Sequence, residues 1–232
     1  MPIAGCFPLA PSFDTAGPMA RDVGTCAAMM RVLGPELHFH EVDLREVRVG
    51  VAWLERADPL VRDRVEEVAA LFPDRRELDM PLLQAETYPV FMREAAEVHG
   101  DLFAEHAALY GENVRTKIER CLAVTDEQYE EALGARARYV EELAATSAEV
   151  DLVLAPTLEC VAPPTGVGDL ALRERLIRLT YPFNALGWPA LALPCGRAED
   201  GLPASVSLAG PRGGDALVLA AGADVEAALA AT

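Results

Sequence analysis

A single lysine, Lys117, and four serines, Ser12, Ser147, Ser205 and Ser207, are all that the 232 residues contain of those two types. An activated hydroxyl nucleophile needs a base within hydrogen-bond reach, and a lysine base must be desolvated before its pKa approaches neutrality. Lys117 sits in VRTKIER, between Arg115 and Arg120 and beside Glu119, which is the pattern of a solvated helix face. Ser205 and Ser207 alternate along a strand-like run and so share one face, the way a strand places small residues under a helix. Neither lies in a Gly-rich loop or beside a histidine, and no G-x-S-x-G elbow occurs anywhere. Ser12 falls in a turn and Ser147 near a helix end, where serine is ordinary. No catalytic residue is expected within this chain.

Histidine is scarce too. His38 and His40 flank Phe39 near Glu41 and Asp43, and His99 and His106 lie seven apart on an expected helix. Without an H-E-x-x-H pair or a third ligand cluster, these read as polar loop and helix-face residues, and neither a metal site nor a cofactor is expected. The cysteines, Cys6, Cys26, Cys121, Cys160 and Cys195, are odd in number, widely spaced and free of any CxxC pair. That favours free thiols in a reducing cytosol over a disulfide framework or a zinc site. Cys195 follows PALALP at a strand end, but no histidine is placed by sequence to activate it. No apolar run reaches membrane-spanning length, and Asp224 and Glu226 break the Ala-rich C-terminus. The first residues carry no basic segment with a long apolar core, so no signal peptide is expected and the cytoplasm is the expected location.

What the chain does have is a large apolar fraction, 51%, with a net charge of −17. The first is enough for a real core. The second repels nucleic acid and anionic membranes, and neither is an expected partner. Helical spacing runs from Pro18 to Leu33. VRVGVAWL (Val47–Leu54) reads as a strand, Asp58-Pro59 opens a helix to Phe72, and RRELDM (Arg75–Met80) reads as a second strand; this is a parallel βαβ crossover. Residues 82–148 read as helical with breaks near Gly111 and at Thr125, where Thr125 and Gln128 fit a capping box. DLVLAP, PALALP and ASVSLAG are three further strands, and a last helix begins near Asp215. No repeat, linker or clear domain boundary is visible. The expectation is one partial domain over residues 1–232, of α/β class, with a mixed sheet flanked by helices on both faces.

Four segments together resemble the amidase signature family: PLAPSFDTAGPMARDV (residues 8–23), VRTKIERCLAVTDEQYEEALGARA (Val114–Ala137), DLVLAPTLECVAPPTG (Asp151–Gly166) and the long stretch Leu179–Gly222. In the last, Pro-Phe-Asn, Gly-Trp-Pro-Ala, Pro-Cys-Gly and Gly-Leu-Pro fall in the family's order and spacing. The resemblance extends back to Met1, where MPIAGCFPLAPSFD is similar to an internal segment of such enzymes, and the final helix sits where their chains usually finish. It implies the C-terminal portion of a hydrolase that cleaves linear amides. The family's serine nucleophile, bridging serine on a cis peptide and lysine, with the Gly/Ser-rich oxyanion loop, belong to a preceding part.

On that footing three readings compete: a C-terminal fragment inactive alone, a subunit completed by a separate N-terminal half, and a stand-alone protein that binds a small-molecule amide. The first is favoured. What remains in the chain is a wall of the substrate pocket. Thr157 is the best candidate, because ligands of open α/β sheets sit at strand C-termini. Asn184 could hold a substrate carbonyl or shape a turn, and Asp215 could pair with a substrate amine or cap the last helix.

Overall fold

The computed structural model describes residues 3–38, 40–83, 85–166 and 169–231; Phe39, between the two loop histidines, lies outside the described residues. The chain divides into two compact units, one formed by Gly17–Leu82 with Leu143–Thr232, the other by Pro2–Ala16 with Leu83–Glu142.

The first unit is built on a mixed sheet of five strands: β1 (Val49–Val51), β2 (Arg75–Glu77), β3 (Leu152–Pro156), β4 (Ala190–Arg197) and β5 (Pro203–Ala209), in the order β2-β1-β3-β5-β4. β1 runs parallel to β2 and to β3, whereas β5 is antiparallel to β3 and to β4. The β1–β2 crossover passes through α2 (Pro59–Ala69), as the alternation of strand, helix and strand predicts. Flanking helices are α1 (Val23–Leu33), α6 (Asp169–Ile177), α7 (Tyr181–Leu186) and α8 (Asp215–Ala230). Side chains at alternate positions make one apolar layer: Val49, Val51, Leu152, Leu154, Val206, Leu208, Leu193 and Cys195 pack with Val61, Val65 and Val68 of α2 and Val218, Ala221 and Val225 of α8. On the other face Val153 and Ala155 are equally buried. α8 lies so close to the sheet that a Cβ on Gly222 would come within 2.2 Å of Leu191 Cδ2.

Boundaries differ from the sequence reading in places with identifiable causes. The first strand ends at Val51 rather than Leu54, because Trp53 turns the chain in the left-handed region (φ 61°) and residues Leu54–Arg56 form a 3-10 turn. The indole donates to the Met80 carbonyl at 2.6 Å, which holds that turn in place. α1 starts at Val23 and not at Pro18; Asp22 caps it by accepting the Thr25 N–H at 2.6 Å. Helices α6 and α7 are not apparent from the sequence. Both are short, and Pro182 at the start of α7 and Gly187 at its end, in the left-handed region (φ 64°), bound it tightly.

The second unit holds α3 (Tyr88–His106), α4 (Glu112–Leu122) and most of α5 (Asp126–Thr146). The expected breaks are present: Gly111 precedes α4, and Thr125 and Gln128 exchange hydrogen bonds of 3.0 and 3.2 Å as a reciprocal cap on α5. A small core joins Ala95 and Ala96 to Cys121. Phe13 meets Phe91 edge-on, with the Arg136 guanidinium 4.2 Å above the Phe13 ring.

Candidate functional site

The C-terminal end of β3 gathers the polar groups of the first unit. β3 is apolar throughout and fully buried, and the residue it delivers at its exit, Thr157, is held on both sides. Its N–H donates to the Ser205 carbonyl at 3.0 Å, and its hydroxyl shares a 2.9 Å hydrogen bond with the Ser207 hydroxyl. Ser205 and Ser207 lie on one face as their spacing requires, but the buried Ser207 spends its hydroxyl on Thr157.

Two residues further on, Glu159 is 4% exposed. Its carboxylate accepts from Arg178 Nη1 at 2.8 Å and lies 3.6 Å from Arg175 Nε. Arg175 also reaches Asp58 Oδ1 at 2.7 Å, and the Asp58 N–H donates to the Glu159 carbonyl at 2.7 Å. Glu199 accepts the Leu60 N–H at 2.7 Å, placing a second carboxylate at the N-terminus of α2, where the helix dipole favours negative charge. This network pins the exit of β3, the start of α2 and helix α6 to one another. Sequence reasoning missed Glu159; the signal was there, as an acidic residue three positions beyond an apolar strand that reaches Pro156. Burial pushes the adjacent Cys160 thiol up, against the pull of the Arg175 charge. No functional thiolate is favoured there.

Two of the expected pocket residues, Thr157 and Asp215, lie at opposite ends of β5. Thr157 lies beyond the β3 C-terminus. Asp215 is the first residue of α8, beyond the far end of β5, where Ala209 pairs with Val153 near the start of β3. Asn184 is in α7, and its carbonyl accepts the Gly187 N–H at 3.1 Å. Arg212 donates to the Leu186 carbonyl at 2.9 Å, which ties the loop before Asp215 to the end of α7. Asp215 thus belongs to one end of β5 and Thr157 to the other, while α7, which carries Asn184, also meets Trp53 beyond the C-terminal end of β1 through Phe183, with ring centroids 5.7 Å apart. A separate cavity of about 610 Å³ opens along β1 and β2 between Trp53, Arg62, Glu66 and Arg75. It includes none of the three.

The remaining reactive groups have structural places. Ser12 accepts from Arg136 Nη1 at 2.6 Å and donates to Glu94; Ser147 donates to the Leu143 carbonyl at 2.6 Å. Lys117 is half-buried in α4. His99 Nδ1 lies 3.2 Å from the Tyr110 hydroxyl. Among the described residues no group of three or more His, Cys, Asp or Glu is arranged to hold a metal ion. Cys195 is not at an exposed strand end but buried under α2, and burial together with the Glu67 charge pushes its thiol up to about 11. Among the described residues no helix is long and apolar enough to cross a membrane.

A mixed α/β sheet with an apolar β3 and a hydroxyl at its exit defines a class of architecture rather than a reaction. The comparisons narrow it. The family model described as Amidase matches residues 74–219, and the chain belongs to that family. An amidase from Pseudomonas putida is 27% identical over 236 residues, which is 86% of this chain and 50% of that protein. A glutamyl-tRNA(Gln) amidotransferase subunit of Halobacterium salinarum is 36% identical over 103 residues, 44% of this chain and 24% of its own. A crystal structure of an amidase superposes with a TM-score of 0.83 at 32% identity, covering 95% of this chain and 54% of that one. The chain corresponds to a C-terminal portion of the amidase fold and spans about half the length of the curated relatives it matches.

Proposed function

We propose that this chain is the pocket-wall portion of a hydrolase that cleaves linear carboxylic amides to the acid plus ammonia or an amine, and that turnover requires a nucleophile and base from outside these 232 residues. The family supplies the reaction class. The observation that carries the second half is the occupation of three of the four serine hydroxyls: Ser207 is buried against Thr157, Ser147 is bonded to its own helix, and Ser12 is held between Glu94 and Arg136, while Lys117 stands half-buried on α4 between Arg115 and Arg120. Ser205 is half-buried on the same strand as Ser207, with no histidine or lysine next to it in sequence. A serine without a base is a poor nucleophile at neutral pH.

Within this reading Thr157 faces the reacting end of the amide, Asn184 lines the wall from α7, and Asp215 lines it from beyond the far end of β5. The partner is either an N-terminal half on a separate chain or the preceding part of a longer one. Cytoplasmic location and a single partial domain belong to the same proposal. The purified chain is expected to leave a panel of aliphatic and aryl amides unhydrolysed, because removing a nucleophile system costs many orders of magnitude in rate. Turnover above background that vanishes in Ser205→Ala or Lys117→Ala would overturn the assignment and locate the chemistry inside the chain.

A further inference from the structure

Helix α2 joins β1 to β2 but packs mainly on β3, β5 and β4. Its inward stripe is Val61, Val65 and Val68. One position further round the helix, Arg62, Glu66 and Ala69 make a second stripe at the spacing of one helix face, and that stripe borders the cavity of about 610 Å³ along β1 and β2. The opposite wall is β2. Arg75 and Glu77 stand in register with Val49 and Val51, strand neighbours in register turn their side chains to one face, and Val49 and Val51 belong to the layer under α2. Arg75 and Glu77 therefore rise on the side of the sheet that α2 occupies. Val51 lines the floor, and the turn at Trp53 and Leu54 stands at the end where both strands finish.

The charges of the two walls are uncommitted and run in opposite order. Among the described residues the side chains of Arg62, Glu66 and Glu77 make no hydrogen bond or ion pair, and Arg75 reaches only the Phe72 carbonyl, at 3.1 Å. Glu55 and Arg76, on the same rim, are committed to Arg56 and Glu149. A crossover helix between parallel strands runs back against them. Taken from the C-terminal ends of the strands, the helix wall therefore presents Arg62 and then Glu66, and the strand wall Glu77 and then Arg75. A cation faces an anion at each level, so the trough has no net charge with which to hold a simple ion. Each level instead presents a donor on one wall and an acceptor on the other, with donor and acceptor exchanged between the two levels.

We infer that this trough is a binding site for a short extended peptide, read through its backbone amides. A trans peptide group turns its carbonyl to one side of the chain and its N–H to the other. Successive groups reverse that sense, as the two levels do, and the long side chains of arginine and glutamate take up the difference between one helical turn and one residue of extended chain. A backbone laid along the trough gives carbonyls to the guanidiniums of Arg62 and Arg75 and N–H groups to the carboxylates of Glu66 and Glu77, which makes every one of these hydrogen bonds charge-assisted. Apolar side chains of the peptide meet Val51 and Leu54. Arg62 to Ala69 is about 10 Å along the helix, the length of about three residues of extended chain. The turn at Trp53 stands across one end, so the site takes a free peptide rather than a strand passing through. The inference is independent of the hydrolase reading, since the cavity includes none of Thr157, Asn184 and Asp215.

The probe is the blocked tripeptide acetyl-alanyl-leucyl-alanine amide, which carries no charge. Titrated to millimolar concentration into the whole chain, it is expected to move the NMR signal of the Trp53 indole N–H saturably and to leave in place that of Trp188, the only other tryptophan. Arg62→Met and Arg75→Met keep an unbranched apolar stem and remove the donors, and each is expected to weaken binding about tenfold. Arg45→Met, whose guanidinium pairs with Asp43 outside the trough, is expected to leave binding unchanged. Each variant is compared with the parent by thermal midpoint, and Glu66→Gln, at an exposed position of α2, carries the test if an arginine variant fails to fold. Hexanoate and hexylammonium are the probes for a simple ion, and either one moving the Trp53 signal at lower concentration than the peptide would make this an ion site and overturn the proposal. A peptide that leaves the Trp53 signal unmoved, or moves both indoles alike, would sink it too. So would binding indifferent to Arg62→Met, Arg75→Met and Glu66→Gln together. The hydrolase reading survives each of these outcomes, because no step of the test involves turnover.

Discussion

The two faces of the same sheet are made by alternate residues of the same strands, yet they differ in size of side chain, in cover and in chemistry. One face reads Val49, Val51, Leu152, Leu154, Leu208, Val206 and Leu193, and lies under α2 and α8. The other reads Val153, Ala155, Ser207, Ala209, Ala190 and Ala192, buried at β3 and open at β4. Large aliphatic side chains on the first face bury more area per residue and set stability. Small ones on the second contribute less; they are covered at β3 and β5 and stand exposed at β4. The division teaches that the stabilising surface of this unit and the one that carries the proposed pocket wall are separated by the period of the strand rather than by distance along the chain.

The largest effect should come from cutting the covered face. Leu154 is fully buried at the centre of the sheet, and Leu154→Ala removes its methyl groups with little chance of collapse around the gap. A loss of about 3 kcal/mol is expected in urea unfolding. Ala192→Ser, the control on the open face, should shift stability by less than about 0.5 kcal/mol. Equal effects from the two would end the distinction between the faces.

Next comes the buried carboxylate at the exit of β3. Glu159→Gln keeps the shape but removes the charge that Arg178 meets at 2.8 Å and Arg175 approaches at 3.6 Å. Both arginines keep more than a third of their side-chain surface in water, at 35% and 40%, and can be rehydrated in part. The expected loss is therefore about 2 kcal/mol, below the cost of breaking a fully buried pair. Chemical denaturation at high salt offers a check: the wild-type advantage over Glu159→Gln should survive, since buried pairs are weakly screened.

The third prediction turns on Cys195, under the covered face. Its thiol is raised to about 11 from an ordinary value of 9.0. The unfolded chain gives up this proton first, so between those values the folded state holds more protons and stability falls as pH rises; below pH 9 the group contributes no slope. The fall is on the order of 1 kcal/mol per pH unit at most. Cys195→Ala should remove that part of the alkaline slope. In the folded protein, Cys195 should label with a thiol reagent far more slowly than the exposed Cys6. Labelling of Cys195 at the rate of Cys6 would show that the covered face opens.

Much of this is legible in the sequence, and the reasons differ by element. Long periodic segments and their punctuation, such as the breaks at Gly111 and Thr125 and the capping pair Thr125–Gln128, are local, and local chemistry is readable. Four of the strands can be located because apolar runs bounded by Pro, Gly and Asp leave few alternatives; β2, charged throughout, is read from its place after α2 in the strand, helix, strand order. The length of β1 is not readable: Val47–Leu54 has the composition of one strand, and only the indole of Trp53, anchored to Met80 far along the chain, decides that the backbone turns. α6 and α7 escape because nine and six residues carry too little periodicity. At the site, the position of Thr157 follows from strand direction, but its bond to Ser207 depends on the register between β3 and β5. Nor can the separation of Thr157 from Asp215 be read, because it depends on β5 running antiparallel.

The smallest effect concerns that hydroxyl pair, and it is the sharpest test of the open face. Ser207 is 4% exposed, whereas Thr157 is only half-buried. Thr157→Val keeps the shape and leaves the Ser207 hydroxyl without its partner in a place water cannot easily reach, a cost of about 1–2 kcal/mol. Ser207→Ala removes the buried group, and the Thr157 hydroxyl it abandons can turn to solvent, so the cost should be about 0.5–1 kcal/mol. The double variant has no stranded hydroxyl and should cost less than the sum, with a coupling of about 0.5–1 kcal/mol in a double-mutant cycle. The order of the two single variants carries the argument. If Ser207→Ala proves the more harmful, the bond is not what holds Ser207, and the open face is packed more tightly than its small side chains indicate. If the effects simply add, the two hydroxyls act independently, and Thr157 is free to turn its hydroxyl towards a bound amide at no cost to the fold.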